Sequence, residues 1–296
     1  MNVYEIVTKT ILDRMINGEI PWREVMLPKK GEKAQFTNPC TGTAYSALNC
    51  LLLGAPGQYS TWNQIKERGG RVNDGAKSHI VTFWNTFIPK EYKDEAEKLE
   101  AEGKSTEHLK QQTLKYYRVF NLNDVTGMKL KKEDETVAAQ QRASDPTDIA
   151  EMALFDYRHN EGIKVVPSQG DEVVYDPGND TVHMPEKTRY ALEEDYYASL
   201  FSGMVHSTAT SGRVNRETEL KKMADGEVSP KEELIAEIGS SMILTSCGLK
   251  RNETHEQIAA ICQKWVEAMN KDYRLIVYAS SGAEKAARYI LGGYAA

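Results

Sequence analysis

Residues 60–84 read Ser-Thr-Trp-Asn-Gln-Ile-Lys-Glu-Arg-Gly-Gly-Arg-Val-Asn-Asp-Gly-Ala-Lys-Ser-His-Ile-Val-Thr-Phe-Trp, and this stretch decides the fold class of the front half. Ser60 or Thr61 can cap a short helix through Trp62, Ile65 and Lys66, because a hydroxyl there accepts from an otherwise orphaned amide. The pair Gly69-Gly70 ends that helix, since glycine closes a helical turn in a left-handed conformation at no steric cost. Ile80-Val81-Thr82-Phe83-Trp84 is β-branched and aromatic, hence a strand, and Tyr116-Tyr117-Arg118-Val119-Phe120 is a second. Helix and strands alternating in this way predict an α+β unit.

Working outward, Val3, Ile6, Val7, Ile11 and Met15 recur at helical spacing, with Gly18 as the stop. From Pro21 to Gly57 the Pro, Gly and Asn punctuation predicts loops and short segments. Residues 89–115 carry 6 basic and 7 acidic residues and few apolar ones, which predicts a solvated helical insertion. Residues 129–148 have the dense charge and small side chains of a linker. The domains expected are therefore 1–132, a linker at 133–148, and 149–296. In the second, Thr147 or Asp148 should cap a helix, and strands are predicted at Ile163–Val166, Glu172–Asp176 and Thr181–Met184. Helices follow at about 192–208, 230–248, 254–269 and 273–291, the second opened by a Ser229-Pro230-Lys231-Glu232 capping box. The whole is α+β in two domains, the second mainly helical with a small sheet.

Composition sets the outer bounds. The 296 residues are 40% hydrophobic and 27% charged, enough apolar material for folded domains without staples. No apolar run approaches the roughly 18–20 residues that span a bilayer, and the first residues lack the features of a secretory signal. Cys40, Cys50, Cys247 and Cys262 form no C-x-x-C pair, so a cytoplasmic protein with reduced thiols is expected. The net charge of −6 is unevenly shared. Residues 1–132 hold 20 Lys+Arg against 15 Asp+Glu, or +5; residues 133–296 hold 17 against 28, or −11. A polyanion would favour the front half.

Binding single-stranded nucleic acid without sequence preference needs cations that follow phosphates and aromatic faces on which bases stack. Lys66, Arg68, Arg71 and Lys77 lie within twelve residues, and Tyr45 and Trp62 stand nearby as stacking candidates. Trp22 and Trp84 read as core instead.

The ordered string Asn17-Gly18-Glu19-Ile20-Pro21-Trp22, Asn38-Pro39, Tyr45, Ser60-Thr61-Trp62-Asn63-Gln64, Gly69-Gly70, Gly75-Ala76-Lys77, Phe83-Trp84 and Val119-Phe120-Asn121 resembles the N-terminal single-stranded-DNA-binding domain of ArdC-type antirestriction proteins of conjugative elements. The back half resembles the zincin-like metallopeptidase domain that follows it in that family. Zincin chemistry uses H-E-x-x-H on a helix: two His at i and i+4 hold Zn²⁺, the Glu is general base, and a downstream carboxylate completes the site. Here the matching stretch is Leu200-Phe201-Ser202-Gly203-Met204-Val205-His206-Ser207-Thr208. Ser202 stands for the first His and Gly203 for the base; only His206 survives. In Glu232-Glu233-Leu234-Ile235-Ala236-Glu237, the resemblance implies Glu233 as vestigial metal ligand and Glu237 as its supporting carboxylate. Serine is a poor zinc ligand and glycine moves no proton, so a pseudo-peptidase with no catalytic residues, bound metal or cofactor is expected. If core packing outlives catalysis, Ser202→His with Gly203→Glu should rebuild a zinc site without loss of stability.

Three readings stay open at this point. One is a single-stranded-DNA-binding antirestriction-type protein of a mobile element with an inactive zincin-like domain. The second is an active metallopeptidase with an atypical ligand set. The third is a protein-binding module that docks a host protein, its acidic face mimicking DNA.

Overall fold

The computed structural model of the chain describes residues 1–28, 32–130 and 145–292. The expected linker at 133–148 lies outside these residues up to position 144. Helix α1 (Val3–Ile16) opens on a reciprocal cap: the Asn2 side chain accepts from the Glu5 amide at 2.9 Å, and the Glu5 carboxylate accepts from the Asn2 amide at 3.0 Å. Its Val7, Ile11, Leu12 and Met15 are buried. Of the loops and short segments expected from Pro21 to Gly57, one proves to be a helix that was not anticipated. A 3₁₀ turn at Pro21–Glu24 and the paired strands β1 (Phe36–Asn38) and β2 (Thr43–Ala44) are followed by a helix, α2 (Ala47–Leu53). Periodicity misses α2 because every one of its residues is buried. Its single polar side chain, Asn49, is satisfied by the backbone of Thr82, donating to the carbonyl at 2.9 Å and accepting from the amide at 2.7 Å.

Strand β3 (Gly57–Thr61) runs directly into α3 (Trp62–Glu67), which Thr61 caps reciprocally with Gln64. After the short β4 (Arg71–Val72) come β5 (His79–Phe87), α4 (Lys93–Ala101), β6 (Gln111–Asn121) and β7 (Val125–Thr126). Five strands form one sheet in the order β2-β1-β3-β6-β5, while β4 and β7 pair separately. β5 and β6 are antiparallel from His79 opposite Val119 to Phe87 opposite Gln111. The charged insertion is thus helical only in part: residues 111–115 already belong to β6.

In the back half, α5 (Pro146–Glu161) is capped two residues before the earlier of the expected positions, by Asp145, which accepts from the Thr147 amide at 2.8 Å. Strands β8 (Lys164–Pro167), β9 (Val174–Asp176) and β10 (Thr181–Met184) form a sheet with β10 central, parallel to β8 and antiparallel to β9. Helices α6 (Glu193–Ser207), α7 (Glu217–Ala224), α8 (Pro230–Ser246), α9 (His255–Lys271) and α10 (Leu275–Leu291) complete the chain, α7 being unanticipated. α8 packs against both α6 and α10.

The halves share one core. α1 lies on α9 and α10, α2 lies on α10, and buried residues of both halves form a continuous cluster. The Pro21–Glu24 turn is strapped along α8. Ser241 Oγ donates to the Trp22 carbonyl at 3.1 Å, Thr245 Oγ1 donates to the Arg23 carbonyl at 3.1 Å, and Ser246 Oγ accepts from the Leu27 amide at 2.9 Å. Trp22 is fully buried, as expected; Trp84, expected in the core, is 40% exposed. Among the described residues no helix is long and apolar enough to cross a membrane.

Candidate functional site

The zincin-like centre forms where α6 crosses α8 beneath β10. Gly203 is a contact residue of that crossing. A Cβ at this position would lie 2.6 Å from Cγ1 of Val182 and 2.8 Å from Cγ1 of Val173, closer than real Cβ contacts allow. Only glycine lets α6 approach the sheet this closely. The expectation that Gly203→Glu would be tolerated is therefore overturned, because the helix-propensity gain meets a filled space. Ser202, on the same helix, is half-buried.

His206 does find a carboxylate, but on the neighbouring residue of α8. Its Nδ1 lies 3.1 Å from Oε1 of Glu232. Glu233, where a vestigial ligand was expected, instead forms a part-exposed ion pair with Lys264 at 2.9 Å. The expected capping box at Ser229 is half made for the same reason. Ser229 Oγ accepts from the Glu232 amide at 3.2 Å, but the Glu232 side chain, fully buried, turns into the centre.

There it meets Arg216, which sequence reasoning missed. The guanidinium is bidentate on Glu232, with Nε donating to Oε2 at 2.8 Å and NH2 donating to Oε1 at 2.6 Å. It also donates to Thr208 Oγ1 at 2.8 Å and to the Val205 carbonyl at 2.9 Å. Burial pushes the Glu232 carboxyl up, but hydrogen bonds and charge from Arg216 and His206 outweigh it and hold the group below the usual carboxylate range. Arg213, three residues earlier, anchors the same loop to Asp180 at 2.6 Å and to Glu161 at 2.9 Å. No sequence pattern announces these arginines, since they sit in an aperiodic loop and their partners are distant in the chain.

Glu237 also departs from its expected place beside a metal ligand. It pairs with Arg23 at 2.7 Å and accepts from Trp22 Nε1 at 3.3 Å, which ties the front half to α8. Burial raises its carboxyl; the Arg23 and Arg251 charges and the Trp22 and Arg23 hydrogen bonds reverse this to a net lowering.

This donor set does not fit a catalytic metal. A zincin needs three protein ligands and a general base. Here one imidazole faces one carboxylate that a guanidinium already neutralises, and the base position is a glycine wedged against valines. Among the described residues no group of three His, Cys, Asp or Glu side chains is placed to hold an ion.

The cationic stretch lies beside the front sheet, on α3, β4 and the loop that leads into β5. Trp62 (53% exposed) meets Phe120 edge-on at 6.1 Å. Lys66, Arg71 and Lys77 are exposed, Arg71 pairing with Asp74 at 3.3 Å. Tyr45 and Arg68 differ from these in being half-buried. The Tyr45 hydroxyl donates to the Tyr59 carbonyl at 3.0 Å, and burial pushes its pKa up to about 12. It lines a cleft of about 850 Å³ that also reaches Glu284 and Arg288 of α10. Arg68 donates to the Cys40 carbonyl at 3.0 Å and lines an adjoining recess of about 480 Å³.

The sequence reading passed over the β5–β6 hairpin as a surface. Neither strand contains an Asp or Glu, while β6 exposes Lys115, Tyr116, Tyr117 and Arg118. Phe83 and Tyr117 stack with ring centroids 4.7 Å apart and planes 3° from parallel, Tyr117 being 56% exposed. A signal was available: Tyr116 and Tyr117 are adjacent in a strand, so their side chains leave opposite faces of the sheet.

A mixed-sheet unit sharing its core with a helical unit, whose site helix lies under a three-stranded sheet, defines a two-part protein with a zincin-like second part. Comparison with known proteins makes this specific: the chain belongs to the ArdC-type antirestriction family, with residues 1–120 matching the N-terminal domain of anti-restriction factor ArdC and residues 154–282 matching the zincin-like metallopeptidase family. Two crystal structures of the antirestriction protein ArdC from plasmid R388 are similar over 99% of this chain and 98% of theirs. The Mn(II)-bound one has 27% identity and a TM-score of 0.64, the metal-free one 28% and 0.65. A DNA primase TraC of Escherichia coli is 27% identical over 97% of this chain, which spans only 27% of that protein's length. The uncharacterized protein y4eC of Sinorhizobium fredii (strain NBRC 101917 / NGR234) is 26% identical over 98% of this chain and 91% of its own.

Proposed function

We propose that this protein binds single-stranded DNA through its front sheet, as a cytoplasmic antirestriction-type protein of a mobile element, and that its zincin-like centre is catalytically inert and serves stability. The observation that carries the binding is the β5–β6 pair, two strands without an Asp or Glu on an acidic chain, which present the Phe83–Tyr117 stack beside Lys115 on one face and Tyr116 beside Arg118 on the other. Bases stack on such rings at about 1–3 kcal/mol each, while the cations follow the backbone. Trp62, Lys66, Arg71 and Lys77 extend the surface along α3 and β4. Tyr45 and Arg68, half-buried in the adjoining clefts, act at its margin. That the TraC relative is a DNA primase supports a DNA partner.

Inertness rests on Arg216. In a zincin, Zn²⁺ polarises substrate and activates water while drawing ligand carboxylates together. In this chain a guanidinium draws Glu232 and the α6 backbone together instead, and it activates nothing. The test is an anisotropy titration of the full chain with a labelled dT oligonucleotide, comparing wild type with Lys115→Ala/Tyr117→Ala. The proposal expects a loss of about tenfold or more in the double variant at an unchanged melting temperature. Equal binding by the two proteins would refute it.

A further inference from the structure

The exposed aromatic surface does not stop at the edge of the front sheet. Trp84, near the end of β5, approaches Tyr278 of α10, with centroids 6.2 Å apart and planes 32° from parallel. Tyr278 in turn stacks on Tyr4 of α1 at 6.3 Å and 28°. The exposed Arg274 guanidinium sits 5.5 Å from the Tyr4 ring centre. We propose that the single-strand path continues from the hairpin over this ladder onto the C-terminal unit, so that Tyr278 stacks a base and Arg274 meets a phosphate. The proposal rests on the single-stranded-DNA reading above and adds a site on the acidic half, where bulk charge argues against one.

Three features favour a working surface over mere packing between the halves. α10 already buries its apolar side through Ile276, Ala279 and Ala283, yet Tyr278, on the opposite side of the helix, remains 44% exposed. A ring placed only to seal the seam would be covered by it. The arginine is not neutralised by the nearest carboxylate in sequence, since Asp272 accepts from the Arg274 backbone amide at 2.8 Å and so serves the start of α10. Finally, the ladder begins at Trp84, next to Phe83 on β5; the register sends Phe83 and Tyr117 to one face and Trp84 to the other, and β5 is the edge strand of its sheet, so a single strand passes between the two aromatic groups by crossing that edge. An aromatic row with a cation at its end is the arrangement that takes bases and backbone together.

The test uses the full-length chain and a fluorescein-labelled dT oligonucleotide, with Kd followed across salt concentration for wild type, Tyr278→Ala, Tyr278→Phe, Arg274→Gln and Tyr117→Ala. The expected result is that Tyr278→Ala binds about tenfold more weakly with an unchanged salt slope, because it removes stacking and no charge. Tyr278→Phe keeps the ring and should bind as wild type. Arg274→Gln should lower the salt slope by about 0.7, the value of one phosphate contact on a single strand. If Tyr278→Ala melts early, Tyr278→Phe and Arg274→Gln decide: a wild-type slope in Arg274→Gln overturns the proposal. Wild-type binding by Tyr278→Ala, with Tyr117→Ala weakened, also overturns it and leaves the hairpin reading standing. No binding of dT by wild type removes both.

Discussion

Replacing Arg216 by Ala isolates the account of the zincin-like centre. Glu232 has no solvent exposure and Arg216 little, so the change leaves a carboxylate in the core with His206 as its remaining partner. Breaking a buried pair by removing one member costs about 3–5 kcal/mol. At roughly 2–4 °C per kcal/mol for large domains, the melting temperature should fall by about 6–20 °C. Removing both charges in Arg216→Met/Glu232→Met should recover most of the loss, since two matched apolar groups leave nothing unpaired. The pH dependence carries a sign. In wild type the Glu232 carboxyl is lowered from 4.5, so its contribution is present above about pH 4.5 and is lost as the pH falls through the folded value. Without Arg216, burial dominates and raises the group, so the variant's deficit is largest at neutral pH and narrows on acidification. Thermal melts by circular dichroism from pH 7 to pH 4 check this. A variant that melts with wild type, or a deficit that ignores pH, refutes the assignment of Arg216 as the centre's internal cation.

Other outcomes follow from neighbouring contacts. Ser202→His/Gly203→Glu should be destabilised by about 1–3 kcal/mol through overpacking against Val182 and Val173, and Zn²⁺ should not raise its melting temperature. A Zn²⁺-dependent rise by differential scanning fluorimetry would restore the expectation drawn from sequence. Glu237→Gln should cost about 1–3 kcal/mol, because it weakens the Arg23 tie between the halves. Limited proteolysis should then cut the front half faster. Changing Lys66, Arg68 and Arg71 together to Ala should weaken dT binding and lower the salt slope by at most about 2, since single-strand contacts contribute about 0.7 each and Arg68 is engaged with the Cys40 carbonyl. Equal slopes would place the phosphate path elsewhere.

The elements that periodicity and caps describe were legible. α1, α3, β5, β6, α6 and α8 sit within a few residues of their expected spans because an amphipathic stripe or a β-branched run with a capping residue names them locally. α2 was not, for a buried helix has no polar face to set its period. The site was legible only to the level of its helices. Glu232 and Glu233 are adjacent, about 100° apart around α8, and which one turns toward His206 depends on how α8 lies on α6. That is a tertiary fact, settled by Arg216 sixteen residues away. Gly203 read as a lost base because sequence shows the missing carboxylate but not the valines that fill its place. The charge asymmetry assigned a polyanion to the front half but carried no sign that Trp22, Val7 and Ile11 would be buried in a core that both halves build.

The central claim is tested most directly by titrating the full chain with a dT oligonucleotide, and separately with a duplex of equal length, across a range of salt concentration. The account predicts single-strand binding whose log K falls linearly with log salt, and markedly weaker duplex binding, because stacked aromatic rings need unpaired bases. Equal affinity for the duplex, or no single-strand binding even at low salt, would contradict it.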